Sequence, residues 1–186
     1  MPDASDSPPD IHWPSGFSPE QAHGFCQVQA VVHAPPATAF ALLADVPRWP
    51  EWVPGITEAW AGALARTYEV LFHGQRFEVF VGEQVAPRRL GWSGVGAGVQ
   101  VYQAWLLTAV AAGTHAVCAN VVRGPASTSL AALSPAWEQH LNTLWMAQLK
   151  RLSESAPGGK RSQCHHPRNP PPRCGNYWLR STGTRH

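Results

Sequence analysis

The 186-residue chain lacks a long apolar run, since no stretch approaches the ~20 residues that a membrane-spanning helix requires. It also lacks the basic segment followed by an apolar segment that marks a secretory signal. Its four cysteines have spacings that match no disulfide framework. These absences argue against an integral membrane protein and against a disulfide-stabilised secreted domain. They predict a cytoplasmic protein.

A basic surface for nucleic acids is also missing from most of the chain. Up to Ser155 there are eight Lys and Arg against twelve Asp and Glu, a net charge of −4. The remaining residues carry six Lys and Arg and no acid. No basic stripe with interleaved aromatic residues is present, so nucleic-acid binding is not expected.

Motifs for metals, phosphates and covalent catalysis are incomplete or absent. Two thiols and two imidazoles lie close together near the C-terminus, at Cys164, His165, His166 and Cys174. They lack the paired spacing of zinc ligands, and no metal site is predicted. The alternating glycines at 94, 96 and 98 are not followed by GKS or GKT, and residues 91–94 lack the GxSxG spacing. We therefore expect no cofactor and no covalent intermediate.

Proline and tryptophan are plentiful instead, with 18 and 9 copies. Residues 31–60 read VVHAPPATAFALLADVPRWPEWVPGITEAW, an extended apolar run followed by two prolines and a short amphipathic segment. Proline is tolerated in the first turn of a helix, so Pro35 and Pro36 predict a helix start there. Asp45 and Pro47 predict its end.

This stretch resembles the START-like superfamily, also called SRPBCC, which includes polyketide cyclases, dehydrases and lipid-transport proteins. The matching positions, in order, are Ala34, Pro35, Phe40, Leu43, Asp45, Val46, Trp49, Pro50, Trp52, Pro54 and Gly55. The resemblance implies an α+β helix-grip fold, in which a curved antiparallel sheet wraps around a long C-terminal helix. It covers about residues 25–154.

The remaining sequence fits this architecture. Strands are predicted over 25–34, 56–61, 66–73, 76–85, 89–93, 99–110 and 114–123, from apolar alternation and intervening turn residues. They form a sheet of six or seven strands, with two short helices after the first strand. Residues 134–153 predict the long helix, with a serine cap, proline at its first position and a wide apolar face. Residues 1–24 are expected to be disordered or loosely packed, and residues 155–186 to form a basic disordered tail.

A cavity between the sheet and the last helix is the expected place for a ligand. The candidate ligand-binding residues are mostly aromatic or aliphatic: Trp52, Tyr68, Phe72, Phe77, Val79, Trp92, Tyr102, Asn120, Trp137, Leu141, Leu144 and Trp145. Large rings provide contact area at little entropic cost, which favours a hydrophobic or polycyclic small molecule. Ordinary core packing explains each residue taken alone. Asn120, among apolar neighbours on a strand, requires a polar partner.

Catalysis is left open at this point. His140 borders the apolar face of the long helix and His115 lies on the last strand, so they are the candidates for general acid or base in a cyclisation or dehydration. A carrier of lipids or other small molecules requires only apolar walls. A regulatory interaction module, like the chaperone-ATPase activators of the superfamily, requires an exposed apolar surface. Either a monomer or a homodimer is compatible with these interpretations.

Overall fold

The computed structural model describes residues 10–124 and 137–156 of the chain, with side chains for 10–124 and 141–156. Seven strands form one antiparallel sheet in the order β1-β7-β6-β5-β4-β3-β2. Their bounds are Gly24–Val32 (β1), Ile56–Ala61 (β2), Thr67–Phe72 (β3), Gln75–Val85 (β4), Arg89–Gly96 (β5), Val99–Val110 (β6) and Gly113–Arg123 (β7). Consecutive strands from β2 to β7 are neighbours. β1 lies at one edge of the sheet, where it pairs with β7.

Two short helices lie between β1 and β2, as the sequence predicts. Helix α1 spans Pro36–Ala44, with Pro35 as its N-cap residue and Pro36 in its first turn. A 3₁₀ helix over Val46–Glu51 follows directly. Its Trp49 is anchored at the end of α1, because its indole N–H donates to the carbonyl oxygen of Leu43 (3.1 Å).

The C-terminal helix α2 spans Trp137–Ser155 and packs mainly against β1, with further contacts to α1 and β7. The predicted helix start at 134–136 lies outside the described residues. The curved antiparallel sheet, the two short helices and the long last helix confirm the α+β helix-grip fold that the resemblance implies.

Side chains alternate between two faces of the sheet, because successive residues of a strand point in opposite directions. We call the face toward α1 and α2 the inner face. The core cluster takes Trp105 and Leu107 from β6, and Ala116, Cys118 and Val122 from β7, all on this face. The chain therefore has one main core, between the inner face and the helices.

The outer face is covered in part by the chain before β1. Trp13 packs edge-on against Phe25 and Tyr102, with ring centroids 6.1 and 6.0 Å apart. Phe17 adds a tilted contact to Tyr102 at 6.0 Å, and a short 3₁₀ turn over Pro19–Gln21 leads into β1. Residues 10–23 thus lie against the sheet through aromatic contacts.

Within the described ranges 10–124 and 137–156, none of the helices has the length and apolar character to cross a membrane.

Candidate functional site: an apolar cavity beside a tryptophan cluster

Five indole rings meet at the centre of the core, which we call the tryptophan cluster: Trp49, Trp52, Trp92, Trp105 and Trp145. Trp145 of α2 is the central member, and its ring centroid lies 5.0 to 6.2 Å from the other four. Trp49 and Trp52 come from the 3₁₀ helix region, Trp92 from β5 and Trp105 from β6. A single side chain of the last helix therefore joins the sheet to the segment after α1.

A cavity of about 60 Å³ lies beside this cluster, between the inner face and α2. Its walls are mainly aromatic and aliphatic: Trp49, Ile56, Val70, Phe72, Phe77, Val79, Trp92, Gly94, Val101, Gln103, Asn120, Leu141 and Trp145. An engineered apolar cavity of about 150 Å³ holds benzene. The space therefore suits a few heavy atoms, and a larger occupant requires the walls to move apart.

The mouth of the cavity is marked by its least buried lining residues. Phe72 ends β3, Val101 lies near the start of β6 and Leu141 lies in the first half of α2, and all three are half-buried. The deep end is formed by Trp49 and Trp145, which are 1% and 2% exposed. Among the described lining residues, solvent exposure is therefore greatest at Phe72, Val101 and Leu141 and least at the two indoles.

Two carboxamides are the polar side chains in the described lining. Gln103 and Asn120 face each other across the β6–β7 pair and are each 1% exposed. The Gln103 amide donates to the thiol sulfur of Cys118 (2.9 Å). The Asn120 Nδ2 donates to Oδ1 of Asn142 on α2 (3.0 Å), which gives Asn120 the partner that the sequence requires.

Several buried polar atoms around the cavity have no hydrogen-bond partner among the described residues. They are the Asn120 Oδ1 and the indole N–H groups of Trp52, Trp92, Trp105 and Trp145. Leaving such a group unpaired costs about 1–3 kcal/mol. Native interiors satisfy most of their polar atoms, and three of these unpaired groups belong to residues that line the cavity: the Asn120 Oδ1 and the N–H groups of Trp92 and Trp145.

Ionisable side chains are absent from the described lining. The nearest thiol, Cys118, is fully buried, and burial raises its pKa well above the usual value for a cysteine. A neutral thiol bonded to a glutamine is a poor nucleophile. The described ranges also contain no group of three or more His, Cys, Asp or Glu that could hold a metal ion.

The structure brings seven of the predicted ligand-binding residues together in the lining of the cavity: Phe72, Phe77, Val79, Trp92, Asn120, Leu141 and Trp145. They come from β3, β4, β5, β7 and α2, so the cavity depends on the whole sheet closing over the helix.

The other predicted ligand-binding residues lie elsewhere. Tyr102 is on the outer face, because it alternates with the inward-facing Val101 and Gln103. Trp52 contacts Trp145 from the far side and lines a separate surface groove with Leu152. Tyr68 and Leu144 are half-buried outside the lining, and the side chain of Trp137 lies outside the described residues.

The two predicted catalytic histidines are not brought together in the described part of the site. His115 alternates with the inward-facing Ala116 and is therefore on the outer face, opposite Val31 of β1. It lies away from the cavity. The side chain of His140 falls outside the described residues.

Six lining residues were not among the predicted site residues: Trp49, Ile56, Val70, Gly94, Val101 and Gln103. Alternation along β6 already places Val101 and Gln103 on the same face as Trp105, so this signal was available in the sequence. No pattern in the sequence marks Gly94 as a lining residue. A Cβ built on it would lie 3.4 Å from the Trp92 ring and 3.8 Å from Phe77, in ordinary contact with two walls.

Solved structures share this architecture at low sequence identity. A hypothetical protein, jhp0584, from Helicobacter pylori is 18% identical with a TM-score of 0.70, covering 81% of this chain and 99% of its own. A START superfamily protein from Mycobacterium smegmatis is 17% identical with a TM-score of 0.54, covering 69% and 98%. The di-domain ARO/CYC StfQ from the steffimycin biosynthetic pathway is 10% identical with a TM-score of 0.56, covering 70% and 50%. These similarities show the fold.

No curated protein matches the chain. A family profile does match it, and the match runs over residues 26–154, which include β2 to β7, α1, nearly all of β1 and α2, and the whole described lining of the cavity. The chain therefore belongs to the family described as polyketide cyclase / dehydrase and lipid transport.

Proposed function

We propose that the protein binds a small apolar molecule, or the apolar part of a larger one, in the cavity between its sheet and α2. The observation that carries this proposal is a cavity walled by aromatic and aliphatic side chains, with carboxamides as its described polar groups. Aromatic walls favour flat or hydrophobic occupants. A polycyclic molecule fits only after the walls have moved apart, because the cavity measures about 60 Å³.

Binding without chemistry is the function that the described part of the lining supports. An aldol cyclisation or a dehydration requires a group that gives or takes a proton near pH 7. Amides and indoles do not do so, and His115 lies on the other face of the sheet. The cytoplasmic location and the monomeric or homodimeric state stay predictions from the sequence.

The proposal can be tested with one pair of glycine variants. Gly94→Ala adds a methyl group inside the cavity, whereas Gly82→Ala adds one beside the ring of the exposed Phe80. Both glycines lie in strands, and neither has a positive φ that a side chain would strain. Gly94 is buried and Gly82 is exposed at the β-bulge between Val81 and Glu83, so chemical denaturation of each variant separates an effect on folding from an effect on the cavity.

The measurement is a toluene titration followed by tryptophan fluorescence, together with native mass spectrometry of the purified protein. We expect toluene to bind the wild type and Gly82→Ala equally, and Gly94→Ala about tenfold more weakly, a difference of about 1.4 kcal/mol. Absence of toluene binding together with absence of any retained molecule would contradict the proposal. Equal weakening by both variants would place the binding site elsewhere.

A further inference from the structure

We propose that the molecule in this cavity carries a hydroxyl group, and that its O–H donates a hydrogen bond to Oδ1 of Asn120. This inference deepens the proposed function and rests on it. It makes Asn120 a specificity-determining residue that favours hydroxylated molecules over molecules of the same shape without a donor. Asn142 is its positioning residue.

The orientation of the Asn120 amide is set by its contact with Asn142. The Asn142 Nδ2 donates to the backbone carbonyl of Cys26 (3.5 Å), which directs the Asn142 Oδ1 toward Asn120. A carbonyl oxygen accepts only from a donor, so Asn120 must present Nδ2 to Asn142. The remaining end of the Asn120 side chain is therefore the oxygen.

The Asn120 Oδ1 lacks a hydrogen-bond donor among the described residues. The Asn120 side chain lines the cavity, and its Oδ1 is buried without a partner among the described residues. An amide oxygen accepts hydrogen bonds and cannot donate them. An occupant that brings an O–H group satisfies it, whereas an ether, a ketone or a hydrocarbon leaves it unpaired.

A hydroxyl group differs from donor-only groups because its oxygen can also accept a hydrogen bond. The indole N–H groups of Trp92 and Trp145, two further lining residues, have no acceptor within the described ranges. A hydroxyl oxygen has lone pairs as well as a proton, so it can accept from an indole while it donates to Asn120. An amine or pyrrole N–H donor lacks this second capacity when its nitrogen lone pair is unavailable. A hydroxylated occupant therefore supplies the donor that Asn120 lacks, and its oxygen is able to accept from an indole N–H of the lining.

The experiment compares phenol and toluene, which have nearly the same shape and differ by a hydroxyl in place of a methyl group. Their dissociation constants are measured for the wild type, for Asn120→Leu and for Val70→Ala. Asn120→Leu replaces the amide by an apolar group of similar size, and Val70→Ala changes the cavity wall without changing its hydrogen-bonding groups. We then compare the ratio of the toluene dissociation constant to the phenol dissociation constant between variants. The hydration free energy of the free probes is the same for every variant, so it cancels in this comparison.

We expect Asn120→Leu to lower this ratio about tenfold, since one hydrogen bond to a buried group is lost. Val70→Ala should change both dissociation constants and leave their ratio as in the wild type. A ratio that Asn120→Leu leaves unchanged, while both probes bind, would overturn the hydroxyl inference and leave the proposed function standing. Failure of both probes to bind the wild type, together with the absence of any retained molecule in native mass spectrometry, would overturn the proposed function itself.

Asn142→Leu provides a second variant that keeps Asn120. Without its anchor the Asn120 amide can rotate and present Nδ2 to the cavity, where the oxygen of either phenol or anisole can accept from it. The preference for anisole, an acceptor without a donor, over toluene should rise. A structural role for Asn142 alone would change all three dissociation constants by the same factor, and this result would overturn its assignment as the positioning residue. Circular dichroism of each variant verifies its fold, and Asn142→Leu decides the matter if Asn120→Leu does not fold.

Discussion

The two faces of the sheet are both rich in aromatic residues but treat their polar atoms differently. On the outer face, Tyr102 packs against Trp13 and Phe17, and its hydroxyl donates to the backbone oxygen of His12 (3.4 Å). His12 contacts Glu83, and Arg89 pairs with Asp10 beside it. On the inner face, the polar atoms of the tryptophan cluster are largely unpaired.

The difference indicates where a ligand is expected. An aromatic surface whose polar groups already have partners gains little from a further molecule. An aromatic cavity with an unpaired acceptor and unpaired donors gains hydrogen bonds as well as apolar contact. Aromatic residues on the outer face are therefore covered by residues 10–23 of the protein itself. Aromatic residues on the inner face surround a cavity with room for an occupant.

The largest expected effect comes from the centre of the inner face. Trp145→Ala removes the ring that joins four other indoles, and we expect it to lower the free energy of unfolding by about 3–5 kcal/mol. Chemical denaturation measures this loss. Trp145→Phe, which keeps an aromatic ring, should lose less. A loss below about 1 kcal/mol for Trp145→Ala would show that the cluster does not hold α2 to the sheet.

A smaller effect is expected on the outer face. Trp13 is half-buried and contacts two rings, so Trp13→Ala should lower the free energy of unfolding by about 1–2 kcal/mol. It should also leave toluene binding unchanged, since Trp13 lies on the other side of the sheet from the cavity. Weaker toluene binding in this variant would contradict this expectation and show that the two faces of the sheet are coupled.

Stability is also expected to depend on alkaline pH. Burial, and secondarily the negative charge of Glu83, raises the pKa of Tyr102 to about 12. An unfolded chain releases this proton near pH 10, so the stabilisation is complete below about pH 10 and is lost as the pH rises toward 12. The loss is at most about 1.4 kcal/mol for each pH unit in that interval.

Tyr102→Phe removes this titration. We expect the free energy of unfolding of this variant to fall less steeply between about pH 10 and 12 than that of the wild type, measured by urea denaturation at each pH. Parallel curves would mean that Tyr102 ionises as easily in the folded protein as in the unfolded chain.

Local sequence patterns predicted the fold and part of the cavity. Prolines 35 and 36 mark the start of α1, and alternation along β3 and β4 places Phe72, Phe77 and Val79 on the inner face. The same rule applied to β6 selects Val101 and Gln103, whereas aromatic character alone selected Tyr102. Where the two signals disagree, alternation follows from backbone geometry and aromatic character does not.

Other features depend on packing between distant segments. Trp49 and Trp52 are three residues apart and both contact Trp145, so only the path of the 3₁₀ helix decides that Trp49 faces the cavity. The Asn120–Asn142 hydrogen bond joins β7 to α2 across 22 positions of sequence. Apolar spacing in one element carries no information about such a pairing.

The central position of Trp145 also has a consequence for biosynthesis. Ribosomes release the chain from its N-terminus, and Trp145 is the last of the five indoles to emerge. The nascent chain therefore carries four of these tryptophans before Trp145, which contacts all of them, is translated. A transcript interrupted before codon 145 would yield a polypeptide that has the strands of the sheet but lacks Trp145. We expect chaperones and proteases to act on such a polypeptide.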